Sequence, residues 1–308
     1  MNIPSRQSPS LAYWAAGLTL VVWSSAYAAI SYGLRMFTPG EIALMRFAVA
    51  SLVFAVPVAL GRINLPPRRD WPAVILLALL GHTLYQLALG YSMTRLSAGA
   101  AAVVISTVPS LTSVLAVLRL KEHISPRAAL GLAVAFAGTL LVTVGRGHGI
   151  HFEPIAFLVF VAVVCSAVNF VFQKPILART DALGFTAASM FVATLSFLPF
   201  GTHLPAKLLA APGSQLGSLL YLGLFPTVVG FLCWSFALAR APASRVASFL
   251  YLQPLMGCVI AFFWLGEIPA WLTVVGGVLA IVGVVLATAR GLKLPAWRRR
   301  LTPAEEAL

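Results

Sequence analysis

Apolar runs of about 20 residues recur along this chain, separated by gaps too short to fold on their own, and that recurrence fixes its class. A helix needs about 20 apolar residues to cross the hydrocarbon core of a bilayer. Ten such runs are present, at roughly 11–34, 41–61, 71–93, 97–119, 126–145, 154–175, 183–203, 215–239, 243–265 and 269–290. The gaps carry helix breakers: Pro66-Pro67-Arg68-Arg69-Asp70, Gly145-Arg146-Gly147-His148-Gly149 and Ala211-Pro212-Gly213-Ser214. Only 9% of residues are charged and 60% are hydrophobic, whereas a soluble domain carries about a quarter charged residues. The expectation is an all-α integral membrane protein with the lipid bilayer as its solvent.

The net charge of +13 does not imply nucleic-acid binding, because the basic residues lie singly or in short runs between the apolar segments. With the N-terminus in the cytoplasm, that side holds sixteen of them: Arg6, Arg62, Arg68, Arg69, Arg119, Lys121, Arg127, Lys174, Arg179, Arg240, Arg245, Arg290, Lys293 and Arg298 to Arg300. The other side holds four, Arg35, Arg95, Arg146 and Lys207, and Arg46 lies inside the second span. This asymmetry places both termini in the cytoplasm of a bacterial inner membrane, with Arg298 to Arg300 against anionic lipid. The polar stretch Met1–Ser10 lacks a small-residue cleavage site, so the first span reads as retained.

The chain repeats itself. An offset of 145 residues brings Arg95 onto Arg240, Ala98 onto Ala243, Ala102 onto Ala247, Pro109 onto Pro254, Glu122 onto Glu267, Gly131 onto Gly276 and Gly138 onto Gly283. Near the start of each half an offset of 142 fits better, with Ser24 on Ser166. Each half has five spans, an odd number, so the second enters the membrane from the opposite side. The expected organisation is a first repeat over 1–147, an inverted second repeat over 148–291 around a central cavity, and a basic cytoplasmic tail over 292–308. Pro109 and Pro254 lie within apolar runs, where a proline removes a helical hydrogen bond; they read as kinks that either pack or shape the cavity. Small-residue stripes at Gly131, Ala135 and Gly138, and at Gly276, Ala280, Gly283 and Ala287, read as packing seams within the protein or between copies.

The repeated segment, Pro109 through Glu122 to Gly131 and Gly138, then Pro254, Gly266-Glu267, Gly276 and Gly283, resembles the signature of the ten-helix EamA-type branch of the drug/metabolite transporter superfamily. The opening Trp23-Ser24-Ser25-Ala26-Tyr27 is similar to that family's Trp-Gly-Ser, with Ser24 in place of the glycine. The resemblance covers almost the whole chain. It implies a transporter of a small-molecule substrate with a cavity lined by spans 1, 3, 4, 6, 8 and 9. Basic termini and aromatic-rich cavity spans are most similar to its amino-acid exporters, including those for aromatic amino acids.

Polar side chains inside lipid-spanning helices are costly unless they face a cavity or a partner. Helical spacing groups the candidates: Trp23, Ser24 and Tyr27; His82, Tyr85 and Gln86; Ser106, with Ser110 and Ser113; Asn169 and Gln173, with Ser166; Trp234, beside Ser235; and Tyr251 and Gln253, with Ser248. Amides and hydroxyls suit the ammonium and carboxylate of a zwitterion, and aromatic faces suit its side chain. Each also has a plainer role, in back-bonding to helix carbonyls or filling gaps. Glu41 and Arg46 are spaced imperfectly for one face, so a partner on another helix is as good an expectation; Glu122 and Glu267 read as caps or ties.

No acid lies on the first span, where the four-helix relatives in that superfamily use a glutamate to exchange protons for cationic drugs. Facilitated diffusion and proton coupling therefore stand as equals. Export of other metabolites or drugs, such as purines or cationic compounds, is an alternative. An intramembrane enzyme is a weaker one, since no Asp-rich pair or His-Glu-x-x-His motif is present. His148, His151 and Glu153 read as a solvated loop, and Cys165, Cys233 and Cys258 as small core hydrophobes. No metal and no cofactor are expected. A monomer is the expected unit, with a homodimer left open.

Overall fold

The structure is a computed structural model that describes residues 9–95, 105, 107–145, 156–256, 259–260 and 270–288. The described residues form helices and connecting turns, with no strand among them. Among the described residues, seven helices are long and apolar enough to cross a membrane. They are α1 (Pro9–Gly33), α2 (Pro39–Ala59), α3 (Arg68–Ser92), α6 (Phe157–Leu177), α7 (Ala182–Gly201), α9 (Gly213–Arg240) and α11 (Trp271–Thr288). Between them lie α4 (Val108–Leu120) and α5 (Pro126–Gly145), apolar helices of the fourth and fifth runs. Two short helices, α8 (Leu204–Ala210) and α10 (Ala243–Ala247), complete the set. The loop with His148, His151 and Glu153 lies outside the described residues, as do Cys258, Glu267 and the tail over 292–308.

Large apolar side chains stand on the outside of this bundle: Trp14, Leu52, Leu118 and Phe157 are each more than two-thirds exposed. In water so many exposed apolar groups would be a liability; in lipid they are the solvated surface. The interior holds large aromatic side chains as well, with Trp234, Tyr251, Phe47 and Phe197 fully buried, and buried polar groups such as Asn169 and Gln173.

Local chemistry sets the helix ends. At α2, Thr38 and Glu41 form a capping box: the Thr38 N–H donates to Glu41 Oε2 at 2.7 Å, and the Glu41 N–H to Thr38 Oγ1 at 3.3 Å. Pro39 follows the cap, where its missing N–H costs nothing. Lys121 ends α4 in the left-handed region at φ 54°. Pro109 falls in the first turn of α4 rather than at its middle, so the described part of that helix is not bent by it. The run expected over 243–265 begins as α10 and then tightens into a 3-10 turn over Ser248–Leu252 before Pro254. α8 did not register as a separate run; it lies along the surface with Leu209 91% exposed.

The small-residue stripes meet each other. α5 and α11 run antiparallel, with Gly131 beside Gly283 and Ala287, and Gly138 beside Gly276 and Ala280. A Cβ on Gly131 would stand 2.7 Å from the Gly283 carbonyl oxygen, and one on Gly138 2.6 Å from that of Gly276. Neither position has room for a side chain, because backbone packs on backbone. Thr139 on α5 donates to the Tyr251 carbonyl at 2.8 Å and binds the 3-10 turn to the seam.

Candidate functional site

Two membrane helices carry a π-helical turn near midspan: Leu79–Leu84 in α3 and Gly223–Val229 in α9. Shifted by 145 residues, the first falls inside the second. Such turns insert a residue and free carbonyls that a neighbour must satisfy. In α9 the cause is visible, since Pro226 has no N–H to give to the Leu222 carbonyl; the Thr227 hydroxyl donates there instead, at 2.7 Å. After the turn the Gly230 N–H reaches Phe225 O, leaving the Pro226 carbonyl to accept from Trp23 Nε1 at 2.9 Å. In α3 the counterpart of the Leu222 carbonyl, Leu77 O, accepts from Asn169 Nδ2 on α6 at 2.8 Å. Gly81 leaves room for that amide, because a Cβ there would collide with the Asn169 side chain.

Beside the α3 turn lies an open cavity, about 620 Å³ of empty space when the solvent at its mouth is included. Its polar lining is Trp23 and Tyr27 from α1, Arg46 from α2, Tyr85 and Gln86 from α3, Ser166 from α6 and Gln253. Phe170, Phe231, Ile105, Val108 and Leu250 supply apolar wall. A smaller space of about 280 Å³ shares Ile30, Arg46, Gln86 and Leu89 with it and extends to Pro39 and Gly90, at the ends of α2 and α3. Arg46 is thus common to both.

Of the candidates read from the sequence, the structure brings Trp23, Tyr27, Tyr85, Gln86, Ser166 and Gln253 to this cavity. The others lie elsewhere. His82 packs its ring edge-on to Phe231 at 4.6 Å and against Phe47 at 5.5 Å. The π turn explains its separation from Tyr85 and Gln86, since the inserted residue rotates the later part of the helix by about 100°. Trp234 is 1% exposed and packed at a tilt against Trp23, at 5.1 Å, and Phe170, at 4.7 Å. Tyr251 bonds Ser110 through its hydroxyl at 2.6 Å and meets Phe136 on α5, so it belongs to the seam. Asn169 spends its amide on α3. Ser24 and Gln173 are buried and do not line the cavity, and Ser106 lies outside the described residues. Pro254 is buried just after the 3-10 turn and Pro109 in α4, neither lining the cavity.

Arg46 is the lining residue that helical spacing missed. Its signal in the sequence was its isolation, as the only charge inside the second apolar run beyond Glu41 at the run's start. The two do not pair. Glu41 takes Lys207 of α8 at 2.7 Å, while Arg46 Nε donates to Thr227 Oγ1 at 3.1 Å.

Other described charges are used away from the cavity, those of Glu122 and Asp70 between the halves and that of Lys174 within the second. Glu122 accepts from the Ala243 N–H at 2.8 Å and the Ser244 hydroxyl at 2.8 Å, capping α10. Lys174 Nζ donates to the Leu238 carbonyl at 2.9 Å and to that of Ala241. Asp70 bridges Arg179 at 2.9 Å. No group of three or more metal-ligating side chains occurs among the described residues.

Known proteins give this geometry a context. Residues 10–144 and 154–289 each match the EamA-like transporter family. The chain is 35% identical to a protein of Streptantibioticus cattleyicolor named "Probable terminal-alkyne amino-acid exporter", over 92% of this chain and 95% of that one. It is 30% identical to the "Uncharacterized transporter YdfC" of Bacillus subtilis, over 87% of each. A Salmonella typhimurium protein named "Probable amino-acid metabolite efflux pump" is 26% identical over 87% of this chain and 92% of its own length. A solved crystal structure shares the fold, with a TM-score of 0.73 over 92% of this chain and all of that one at 19% identity.

Proposed function

The chain belongs to the EamA-like transporter family, and on that premise we propose that it is a secondary transporter exporting amino acids or related small metabolites by alternating access. The observation that carries this reading is the cavity where spans of both halves meet, walled by aromatic rings and edged by amide, hydroxyl and guanidinium groups. Such a lining suits a zwitterion with an apolar side chain, aromatic or neutral. Relatives named as amino-acid exporters and efflux pumps support the same solute class and direction.

Ten spans in two inverted repeats supply the mechanism. The α5–α11 seam supports the inversion: exchanging the halves by 145 residues turns the Gly131–Gly283 contact into the Gly276–Gly138 contact, as a twofold axis requires. The matched π turns of α3 and α9 support it independently. Two such halves around one site can open to either side in turn. The protein is a multi-pass membrane protein; the excess of basic residues on one side supports cytoplasmic termini in a bacterial inner membrane.

Purified protein in liposomes should move at least one aromatic or neutral amino acid faster than protein-free vesicles do. A panel of all the common amino acids with no such flux would refute the amino-acid reading. Flux measured with and without an imposed pH gradient separates proton coupling from facilitated diffusion.

A further inference from the structure

The geometry points to Arg46 as the group that holds a carboxylate of the transported solute, so that an acid group, and not an ammonium, is the handle the cavity requires. This deepens the exporter reading and rests on it for the word solute.

Arg46 lies seven residues into α2, roughly 10 Å below its start at 1.5 Å per residue, and is 5% exposed. A charge at that depth is costly unless it is paired or serves a pathway. The described acids are otherwise placed: Glu41 pairs with Lys207, Asp70 with Arg179, Glu122 caps α10, and Asp181 precedes α7 at its N-cap. A guanidinium has five N–H bonds in a planar fork. One, from Nε, goes to Thr227, and the other four have no described protein partner. Arg46 lines both the main cavity and the smaller one beside it, and no other described residue with a formal charge lines either.

The Thr227 bond aims the fork. Its hydroxyl accepts from Arg46 and donates to Leu222 O across the π turn of α9, so the guanidinium is held from the second half of the chain while its carbon stem comes from the first. Two parallel N–H bonds then remain for a carboxylate, the geometry in which arginine outperforms lysine. No described acid lines the cavity to repay an ammonium. Tyr27, Tyr85, Gln86 and Gln253 can meet one, but only as neutral dipoles. An organic cation would enter a site whose one formal charge repels it.

The test uses the purified full-length protein and two ligand series, aromatic and aliphatic: phenylalanine, 3-phenylpropanoate, phenylalaninamide and phenethylamine; leucine, 4-methylpentanoate, leucinamide and isoamylamine. Binding is read from the rise in melting temperature with concentration. In at least one series the two acids should stabilise the wild type, and the amide and amine should bind at least about tenfold more weakly, the loss of one charge-assisted contact. Arg46→Gln should bind acid and amide alike, and Arg46→Lys should recover part of the preference. An amide or amine that binds as tightly as its acid, the absence of stabilisation by any acid, or an Arg46→Gln protein that still prefers the acid overturns the assignment. The wild-type series decides the matter even if the variants do not fold. Amino-acid flux unchanged in Arg46→Gln removes Arg46 and leaves the exporter reading standing; acid binding through Arg46 with no flux in the wild type does the reverse.

Discussion

At the scale of single residues, the interior is organised by carbonyls that two irregular turns set free. Asn169, Thr227 and Trp23 each give a donor to one of them, at 2.8, 2.7 and 2.9 Å. In lipid there is no water to substitute for a missing donor. Asn169→Leu keeps the branched shape of the side chain and strands the Leu77 carbonyl, and should lower stability by about 1–3 kcal/mol, read as a fall in melting temperature of the detergent-purified protein. An unchanged melting temperature would mean that another donor serves that carbonyl. Helical spacing correctly groups Tyr85 with Gln86, but it cannot foresee the π turn that removes His82 from their face. Nor can it tell a hydroxyl aimed at a cavity from one aimed at a neighbour, and Tyr251, bonded to Ser110, is of the second kind. Arg46 was readable as an anomaly but not as a lining residue, because its placement depends on Thr227, 181 residues away in sequence.

At the scale of elements, the glycine stripes were legible because their spacing alone defines a flat helix face. The sequence left open whether that face met the same chain or a second copy; α11 takes the α5 face within one chain. Backbone contact this close tolerates no side chain. Gly283→Leu, whose Cβ would meet the Ala135 backbone, should push the two helices apart and abolish a monodisperse folded peak in size-exclusion chromatography. Gly17→Leu, at a glycine of α1 with nothing within 4 Å, should leave that peak unchanged. Equal behaviour of the two variants would show that the seam does not hold the fold. Apolar runs also gave the positions of the seven long helices, while α8 was invisible to them because seven residues are too few to register as a span.

At the scale of the whole molecule, the cavity belongs to neither half. Trp23, Tyr27, Arg46, Tyr85 and Gln86 come from the first, and Ser166, Phe170, Phe231 and Gln253 from the second. Ties between the halves lie at both ends, Glu41 with Lys207 at one and Glu122 with Ser244 at the other. In the alternating access proposed above, one set of ties breaks while the other is kept. The most direct test places one cysteine in the cavity wall, as Ala26→Cys, in protein whose Cys165, Cys233 and Cys258 have been replaced by alanine. A membrane-impermeant thiol reagent is then applied from each side of sealed vesicles, with and without a transported amino acid. Alternating access to this cavity predicts labelling from either side and protection by the solute. Labelling from one side only, or labelling from both that the solute leaves untouched, would contradict it.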